Sequence, residues 1–189
     1  VCNLPNVKDE GGQDISTKFL TVSGDRAVIG TSTGIMIIDV PSVAVNATVN
    51  FGEAPRTAAC TDRRLYVGLQ NELRSIGITQ SVADVQLWTV EKRLAAVFLQ
   101  PFAGGLYFMA RAVSGSEDKA GLWYFSPDDA AGNHTATFIT TNGYEFCTAN
   151  SRIALMRGGT TVHRAEASDP TKISNDHPTD VRLTCLKMN

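Results

Sequence analysis

The chain alternates between polar turns and short apolar stretches, and one such unit recurs four times along it. The copies occupy residues 24–30, 62–68, 104–109 and 151–156. Each begins with a polar or glycine-rich turn and continues into an apolar stretch of the length of a strand. The apolar stretches begin at Ala27, Leu65, Leu106 and Ile153, so the successive spacings are 38, 41 and 47 residues. The pattern predicts a repeated unit built only of short strands.

A period of about 40 residues with only strand-like segments is typical of a β-propeller, in which each repeat forms a four-stranded blade. We therefore predict an all-β fold with four recognisable blades and one extra strand. The expected boundaries are an N-terminal tail or crossing segment over 1–14, blades over 15–55, 56–92, 93–141 and 142–180, and a partial unit over 181–189. The four units either close as a small ring or form part of a larger propeller.

The second strand of each unit is apolar without alternation, as in Leu65, Tyr66 and Val67. A strand that is apolar on both faces must be covered on both faces, and in a propeller the neighbouring blades cover it. Residues 82–98 also fit an amphipathic helix. The repeat favours two strands there, and we predict the outer strand of the second blade over 85–90.

Composition and charge exclude several classes of partner. The formal net charge of −2 and the isoelectric point near 5.9 give no general attraction to nucleic acid or anionic lipid. No apolar run approaches the ~20 residues that span a bilayer. The chain starts at Val1 without an initiator Met or a signal-peptide pattern, so we expect a processed product or a piece of a longer protein.

The sequence carries no motif of a known enzyme class. It lacks G-x-S-x-G, a phosphate loop and histidines at metal-binding spacing, and residues 158–161 fit a hairpin turn. We therefore expect a non-catalytic protein without a cofactor or metal. A propeller hydrolase that uses carboxylates or histidines near the ring axis stays open as a third function, because one sequence does not show which groups converge.

Three arginines occupy the same place in their units, at the turn between the first and second strands. They are Arg26, Arg64 and Arg152. Because equivalent turns lie at one end of a propeller, these guanidinium groups would share one face and bind an acidic peptide or a phosphate. Asp25 and Asp62 stand beside two of them, so ordinary solvated turn residues are the alternative.

The opposite end of the blades carries the connections that enter each blade. Arg56 and Tyr144 lie in these connections, and aromatic and arginine side chains are favoured as anchors in protein interfaces. They are our candidates for partner binding at that end. Packing between blades is the alternative role for Tyr144.

The units resemble the WD-repeat superfamily of β-propellers over roughly residues 15–189. The resemblance rests on the strand rhythm and on two strand endings, Ile37-Ile38-Asp39-Val40 and Leu122-Trp123-Tyr124-Phe125. The Gly-His element and a true Trp-Asp pair of that superfamily are missing. The resemblance implies a rigid platform whose faces bind other proteins. We thus expect an intracellular protein-interaction scaffold, with other proteins as partners and among them a chain that completes the propeller.

The four cysteines, at positions 2, 60, 147 and 185, leave an alternative open. Cys60, Cys147 and Cys185 fall at similar places in successive repeats, where small free thiols pack well. The terminal cysteines and the four units also resemble the hemopexin-like four-bladed ring, although its Asp-Ala and Tyr-Phe-Phe signatures are missing. That resemblance implies a secreted binding domain clasped by a Cys2–Cys185 disulfide, a setting that the sequons at Asn46 and Asn133 suit.

Overall fold

The computed structural model describes residues 18–178 of the chain. The expected tail over 1–14, the partial unit over 181–189 and the cysteines Cys2 and Cys185 lie outside the described residues. The clasping disulfide and the extra strand therefore stay predictions.

The described residues form sixteen β-strands, in four groups of four. Blade 1 comprises β1 (Phe19–Ser23), β2 (Arg26–Gly30), β3 (Gly34–Asp39) and β4 (Ala44–Asn50). Blade 2 comprises β5 (Thr57–Cys60), β6 (Arg64–Gly68), β7 (Leu73–Gly77) and β8 (Thr89–Lys92). Blade 3 comprises β9 (Ala95–Phe102), β10 (Gly105–Arg111), β11 (Gly121–Phe125) and β12 (Ala136–Thr140). Blade 4 comprises β13 (Phe146–Ala149), β14 (Ile153–Gly158), β15 (Thr161–Glu166) and β16 (Asp169–Pro178).

Each blade is an antiparallel sheet in which the strands pair in chain order. The first strands of successive blades lie side by side, with β1 next to β5, β5 next to β9 and β9 next to β13. This is the arrangement of propeller blades around an axis. The predicted all-β propeller architecture is therefore confirmed.

The outer strand of blade 2 was predicted wrongly. Val85–Leu87 form a single 3₁₀ turn, and the strand begins only at Thr89. The side chain of Asp84 caps this turn by accepting a hydrogen bond from the Gln86 N–H, and the Trp88 indole N–H donates to the Val82 carbonyl oxygen at 3.0 Å. Trp88 is buried, and its indole is hydrogen-bonded to a residue six positions earlier in the chain. The intervening residues therefore form a turn and not an extended strand.

Three apolar cores separate the four blades, and alternate residues of one strand enter different cores. In β6, Leu65 and Val67 pack toward blade 1, whereas Tyr66 packs toward blade 3. In β10, Phe108 packs toward blade 2 and Tyr107 toward blade 4. Neighbouring blades cover both faces of blades 2 and 3. This explains why the second strands of these blades are apolar without alternation, as expected from the sequence.

Blade 1 has one face that belongs to none of these cores, and we call it the outer face of blade 1. Its first strand places Leu20 opposite Ile29 and Val22 opposite Ala27, so these side chains share a face. Leu20 and Val22 are 51% and 59% exposed. The apolar surface of the sheet therefore continues here without a neighbouring blade among the described residues.

Replacing Phe108 with alanine tests the core between blades 2 and 3. Phe108 is fully buried, so Phe108→Ala should lower the free energy of unfolding by about 3–5 kcal/mol. The matched change Leu87→Ala, at a side chain that is 43% exposed, should cost less than about 1 kcal/mol. Chemical denaturation measures both, and similar small losses in the two variants would contradict the packing described.

Candidate functional site

The turns between first and second strands lie together at one end of the blades, which we call the first-turn end. Arg26 and Arg64 begin β2 and β6, and Arg152 directly precedes β14. The three arginines therefore occupy equivalent turns, as expected from the sequence. The corresponding turn of blade 3 carries Ala103 and Gly104 and has no arginine.

Arg64 is engaged within the protein on all sides of its guanidinium group. Its Nε lies 3.1 and 3.0 Å from the two carboxylate oxygens of Asp128. Its Nη1 donates to the Ser75 hydroxyl at 3.0 Å, and its Nη2 donates to the Gly132 carbonyl oxygen at 2.7 Å. The side chain is only 11% exposed. Arg64 therefore ties blade 2 to the loop before β12 and has little capacity left for an external ligand.

Two further groups complete this arrangement. His134 Nε2 lies 3.1 Å from Glu91 Oε2, and His134 Nδ1 lies 3.3 Å from Asp128 Oδ1. The hydroxyl of Ser75 donates to Glu91 Oε1. We call these five residues the Arg64 cluster: Arg64, Ser75, Glu91, Asp128 and His134. The cluster joins blades 2 and 3 beside the rings of Tyr66 and Phe125.

The electrostatics of the cluster favour the ionised form of the Glu91 carboxyl. Burial acts to raise the pKa of the Glu91 carboxyl, but hydrogen bonds with His134 and Ser75, together with the charges of His134 and Arg64, outweigh it. The pKa of Glu91 is therefore below its usual value. Burial also raises the pKa of the neighbouring Tyr66 phenol, so Tyr66 stays neutral. The cluster is a charge-assisted bridge between blades.

The same geometry argues against a nucleophilic role for Ser75. Its hydroxyl accepts from Arg64 and donates to Glu91, and no hydrogen bond between Ser75 and His134 occurs among the described residues. Its exposed fraction is 0%. A catalytic serine needs an accessible oxygen as well as a base within hydrogen-bond reach. Glu91 is such a base, but the oxygen of Ser75 is not accessible.

The loop between β11 and β12 closes over a cleft of about 520 Å³ at the first-turn end. Asp129 holds this loop in shape, since its carboxylate accepts from the backbone N–H groups of Ala131 and Asn133. These hydrogen bonds, chiefly that with Asn133, lower the pKa of Asp129. Arg63 also donates to the Asp129 carbonyl oxygen at 2.8 Å. The walls of this cleft are therefore held by internal hydrogen bonds.

A second, smaller cavity of about 230 Å³ lies between blades 1 and 2 at the same end. Arg26 lines it together with apolar side chains that include Val28, Ile37 and Leu65. Unlike Arg64, the Arg26 guanidinium makes no ion pair or hydrogen bond with any residue in the range 18–178. The two equivalent arginines therefore have different surroundings.

The remaining candidates from the sequence are dispersed. Arg56 donates from Nε and Nη2 to Gln70 Oε1 at 3.0 and 2.6 Å, and lies at the opposite end of the blades. Tyr144 is only 4% exposed and packs edge-on against His163 with ring centroids 5.1 Å apart. Arg152 is exposed in its turn. The structure thus buries Tyr144 in the core between blades 3 and 4 and leaves little of its ring for a partner, whereas partner binding by the arginines stays a prediction.

Cys60 and Cys147 are free thiols. Burial raises the pKa of the Cys60 thiol to about 11 and that of the Cys147 thiol to about 12. Both are therefore unreactive packing groups at neutral pH. Within the described part of the chain, no group of three histidine, cysteine or carboxylate side chains is arranged to hold a metal ion. The same part contains no helix long and apolar enough to cross a bilayer.

Comparison with solved structures supports the fold. The β-propeller domain of Cps50 (Swd1) from Myceliophteria thermophila is similar with a TM-score of 0.52 at 18% identity, over 82% of this chain and 55% of that chain. A chain of the mitotic checkpoint complex gives a TM-score of 0.59 at 14% identity, over 85% of this chain and 50% of that chain. The computationally designed Ika4 protein gives 0.55 at 12% identity, over 87% of this chain and 99% of that chain.

These likenesses confirm a β-propeller fold. The chain spans about half the length of the first two structures. No protein-family model matches the sequence, and no curated protein matches it.

Removing the cation of the Arg64 cluster should destabilise the fold. Arg64→Met leaves the Asp128 and Glu91 carboxylates, which are only 5% and 11% exposed, without their guanidinium partner. We expect a loss of about 3–5 kcal/mol in the free energy of unfolding. The control Arg111→Met, at an exposed strand end, should cost less than about 0.5 kcal/mol. Equal effects in a denaturant titration would show that the cluster adds nothing to stability.

The lowered pKa of Glu91 predicts a loss of stability in acid. Because this pKa is lower in the folded than in the unfolded chain, the stabilisation is complete above the ordinary value of 4.5 and is lost as the pH falls below it. Glu91→Gln should be less stable at neutral pH and should lose less stability on acidification. Thermal unfolding of both proteins over this pH range measures the difference, and parallel pH profiles would refute the assignment.

Proposed function

We propose that this chain is a non-catalytic protein-interaction scaffold and forms one part of a β-propeller, with the outer face of blade 1 packed against a further blade. The observation that carries the proposal is the apolar character of this face. Its edge residues Leu20 and Val22 are exposed, whereas Ile29 and Met36 at its centre are buried. A propeller blade is stable only when both faces are covered, and soluble proteins rarely leave such a surface open.

The outer face of blade 1 continues the residue rows that form the cores elsewhere. One row crosses the sheet through Val22, Ala27, Ile38 and Val45. Val22 and Val45 at its two ends are 59% and 56% exposed, whereas Ala27 is 8% exposed. The equivalent rows of blades 2 and 3 are buried between sheets. This row therefore has the chemistry of an interblade core that lacks one side.

The occupant that fits this face is the apolar face of another propeller blade. Each core between the described blades is formed by two sheets that pack through aliphatic and aromatic side chains. In the similar propellers from Swd1 and the mitotic checkpoint complex, the match with this chain covers 55% and 50% of the structure, which leaves room for such blades. The further blade belongs either to a longer form of the same polypeptide or to a partner chain.

The interior of the site supports a non-catalytic role. Arg64, Ser75 and Glu91 are hydrogen-bonded within the cluster, and Ser75 is inaccessible, although the buried His134 Nδ1 has no hydrogen-bond partner among the described residues. An intracellular location is part of the same proposal, since Cys60 and Cys147 are free thiols. The secreted four-bladed alternative with a Cys2–Cys185 disulfide stays open, and the mass of the chain before and after reduction and alkylation would test it.

Light scattering on the isolated chain tests the open face. The wild-type chain should associate, with an apparent mass that rises with concentration above the monomer mass of 20.3 kDa. The double change Leu20→Ser and Val22→Ser should remove this association, because it makes the exposed edge of the face polar. Leu87→Ser, an equally apolar and exposed position on blade 2, is the matched control and should behave as wild type.

Binding of an apolar fluorescent dye gives a second readout of the same face. The double variant should bind clearly less dye than the wild type and Leu87→Ser. A wild-type chain that stays at 20.3 kDa at every concentration and binds no dye would overturn the proposal.

A further inference from the structure

The cavity between blades 1 and 2 has an apolar floor and a polar rim at the first-turn end. Its volume is about 230 Å³. Val28, Ile37 and Leu65 contribute the floor, and Arg26 and Gln80 contribute to the rim. We call it the Arg26 cavity. It is distinct from the outer face of blade 1, because Val28 and Ile37 lie on the face of blade 1 that packs toward blade 2.

Arg26 brings a positive charge to this cavity and forms no ion pair with a described carboxylate. The Asp39 carboxylate, on the neighbouring strand, accepts from both the backbone N–H, at 2.9 Å, and the hydroxyl of Ser42. These hydrogen bonds and, less strongly, the charge of Arg26 lower the pKa of Asp39, but Asp39 makes no ion pair with Arg26. No aspartate or glutamate is among the described residues that line the cavity. The cavity thus combines one cation with an apolar floor and no anion.

Cys60, which also lines the cavity, does not supply the missing negative charge. Burial raises the pKa of its thiol to about 11, although the nearby charge of Arg26 acts in the opposite direction. The thiol is therefore neutral at physiological pH. The anion that would complement Arg26 must come from outside the described residues.

The rim also holds hydrogen-bond donors that are not used internally. Gln80 accepts at Oε1 from the Gly77 N–H at 3.0 Å, and its amide N–H groups make no hydrogen bond with residues of the described range. A carboxylate accepts hydrogen bonds from a guanidinium and an amide together, which gives it orientation as well as charge pairing.

We propose that the Arg26 cavity binds an aspartate or glutamate side chain of a protein partner, with a neighbouring aliphatic side chain of that partner on the apolar floor. This inference rests on the proposed scaffold function and names the chemistry of one partner segment. A single arginine suits a singly charged carboxylate, and the apolar floor suits an aliphatic neighbour better than a phosphate group.

The test uses the full chain, labelled with ¹⁵N, and the blocked dipeptide Ac-Leu-Glu-NH₂ as probe in an NMR titration. Saturable amide shifts should appear at Val28, Leu65 and Ile78, which line the cavity. The neutral analogue Ac-Leu-Gln-NH₂ should bind about tenfold more weakly, since it lacks the charge-assisted contact. Equal binding of the two dipeptides would overturn the proposal.

Two variants assign the binding to the cavity. Arg26→Gln should weaken Ac-Leu-Glu-NH₂ about tenfold and leave the neutral analogue unchanged, whereas Arg111→Gln, exposed at the opposite end, should bind as wild type. Ala83→Trp, at an exposed position on the rim, should block both dipeptides while keeping Arg26. Because Ala83 is exposed, this second variant retains the fold even if Arg26→Gln does not. Unchanged binding in Ala83→Trp would refute the site.

Other anions separate the possible sources of the negative charge. Inorganic phosphate or a peptide with a free C-terminal carboxylate that binds as well as Ac-Leu-Glu-NH₂ would refute the assignment to an acidic side chain. Leu20→Ser with Val22→Ser should leave dipeptide binding unchanged, and Arg26→Gln should leave the light-scattering mass unchanged. Failure of this inference and failure of the open-blade proposal are therefore distinguishable.

Discussion

A sheet that is apolar on both faces has to be covered on both faces, and this constraint shapes the whole molecule. In blade 3, Phe108 packs on blade 2 and Tyr107 on blade 4, so a single strand contributes to two cores. Sheet-on-sheet packing of this kind explains why the blades repeat at nearly constant spacing and why their second strands lack alternation. The same constraint is the basis for proposing a further blade on the outer face of blade 1, where Leu20 is exposed and no opposing sheet lies among the described residues.

The polar groups between blades follow the companion rule that buried charges need complete sets of partners. Arg64 and Arg26 occupy equivalent turns but have opposite surroundings. The loop before β12 brings Asp128 to within 3.0 Å of Arg64, whereas the cavity beside Arg26 contains no described carboxylate. Arg64 therefore stabilises an interblade contact, whereas Arg26 has no ion pair among the described residues. The difference arises from the neighbouring blade and not from the turn itself.

The described blades combine a packed interior with less constrained ends. The cores give rigidity, and the turns and loops at the first-turn end form the cleft under the loop before β12 and the Arg26 cavity. These two concave sites lie at the same end and share Ile78 and Gln80 in their linings. The open blade face is a separate, apolar surface. The two proposals thus place different contacts on different surfaces: the open blade face would extend the propeller, and the Arg26 cavity would bind an acidic side chain of a partner.

The strand rhythm, the four blades and the coverage of both sheet faces were predictable from the sequence, because period, turn residues and apolar runs are local properties of the chain. The 3₁₀ turn before β8 was missed, since Trp88 bends it through a contact with Val82 that the repeat does not encode. Residues of the Arg64 cluster lie up to 70 positions apart in the chain, so only folding could bring Arg64 and His134 together. The sequence alone thus determined the architecture. The tertiary structure decided which of the equivalent arginines forms an ion pair, because that depends on whether the neighbouring blade brings a carboxylate close to the guanidinium group.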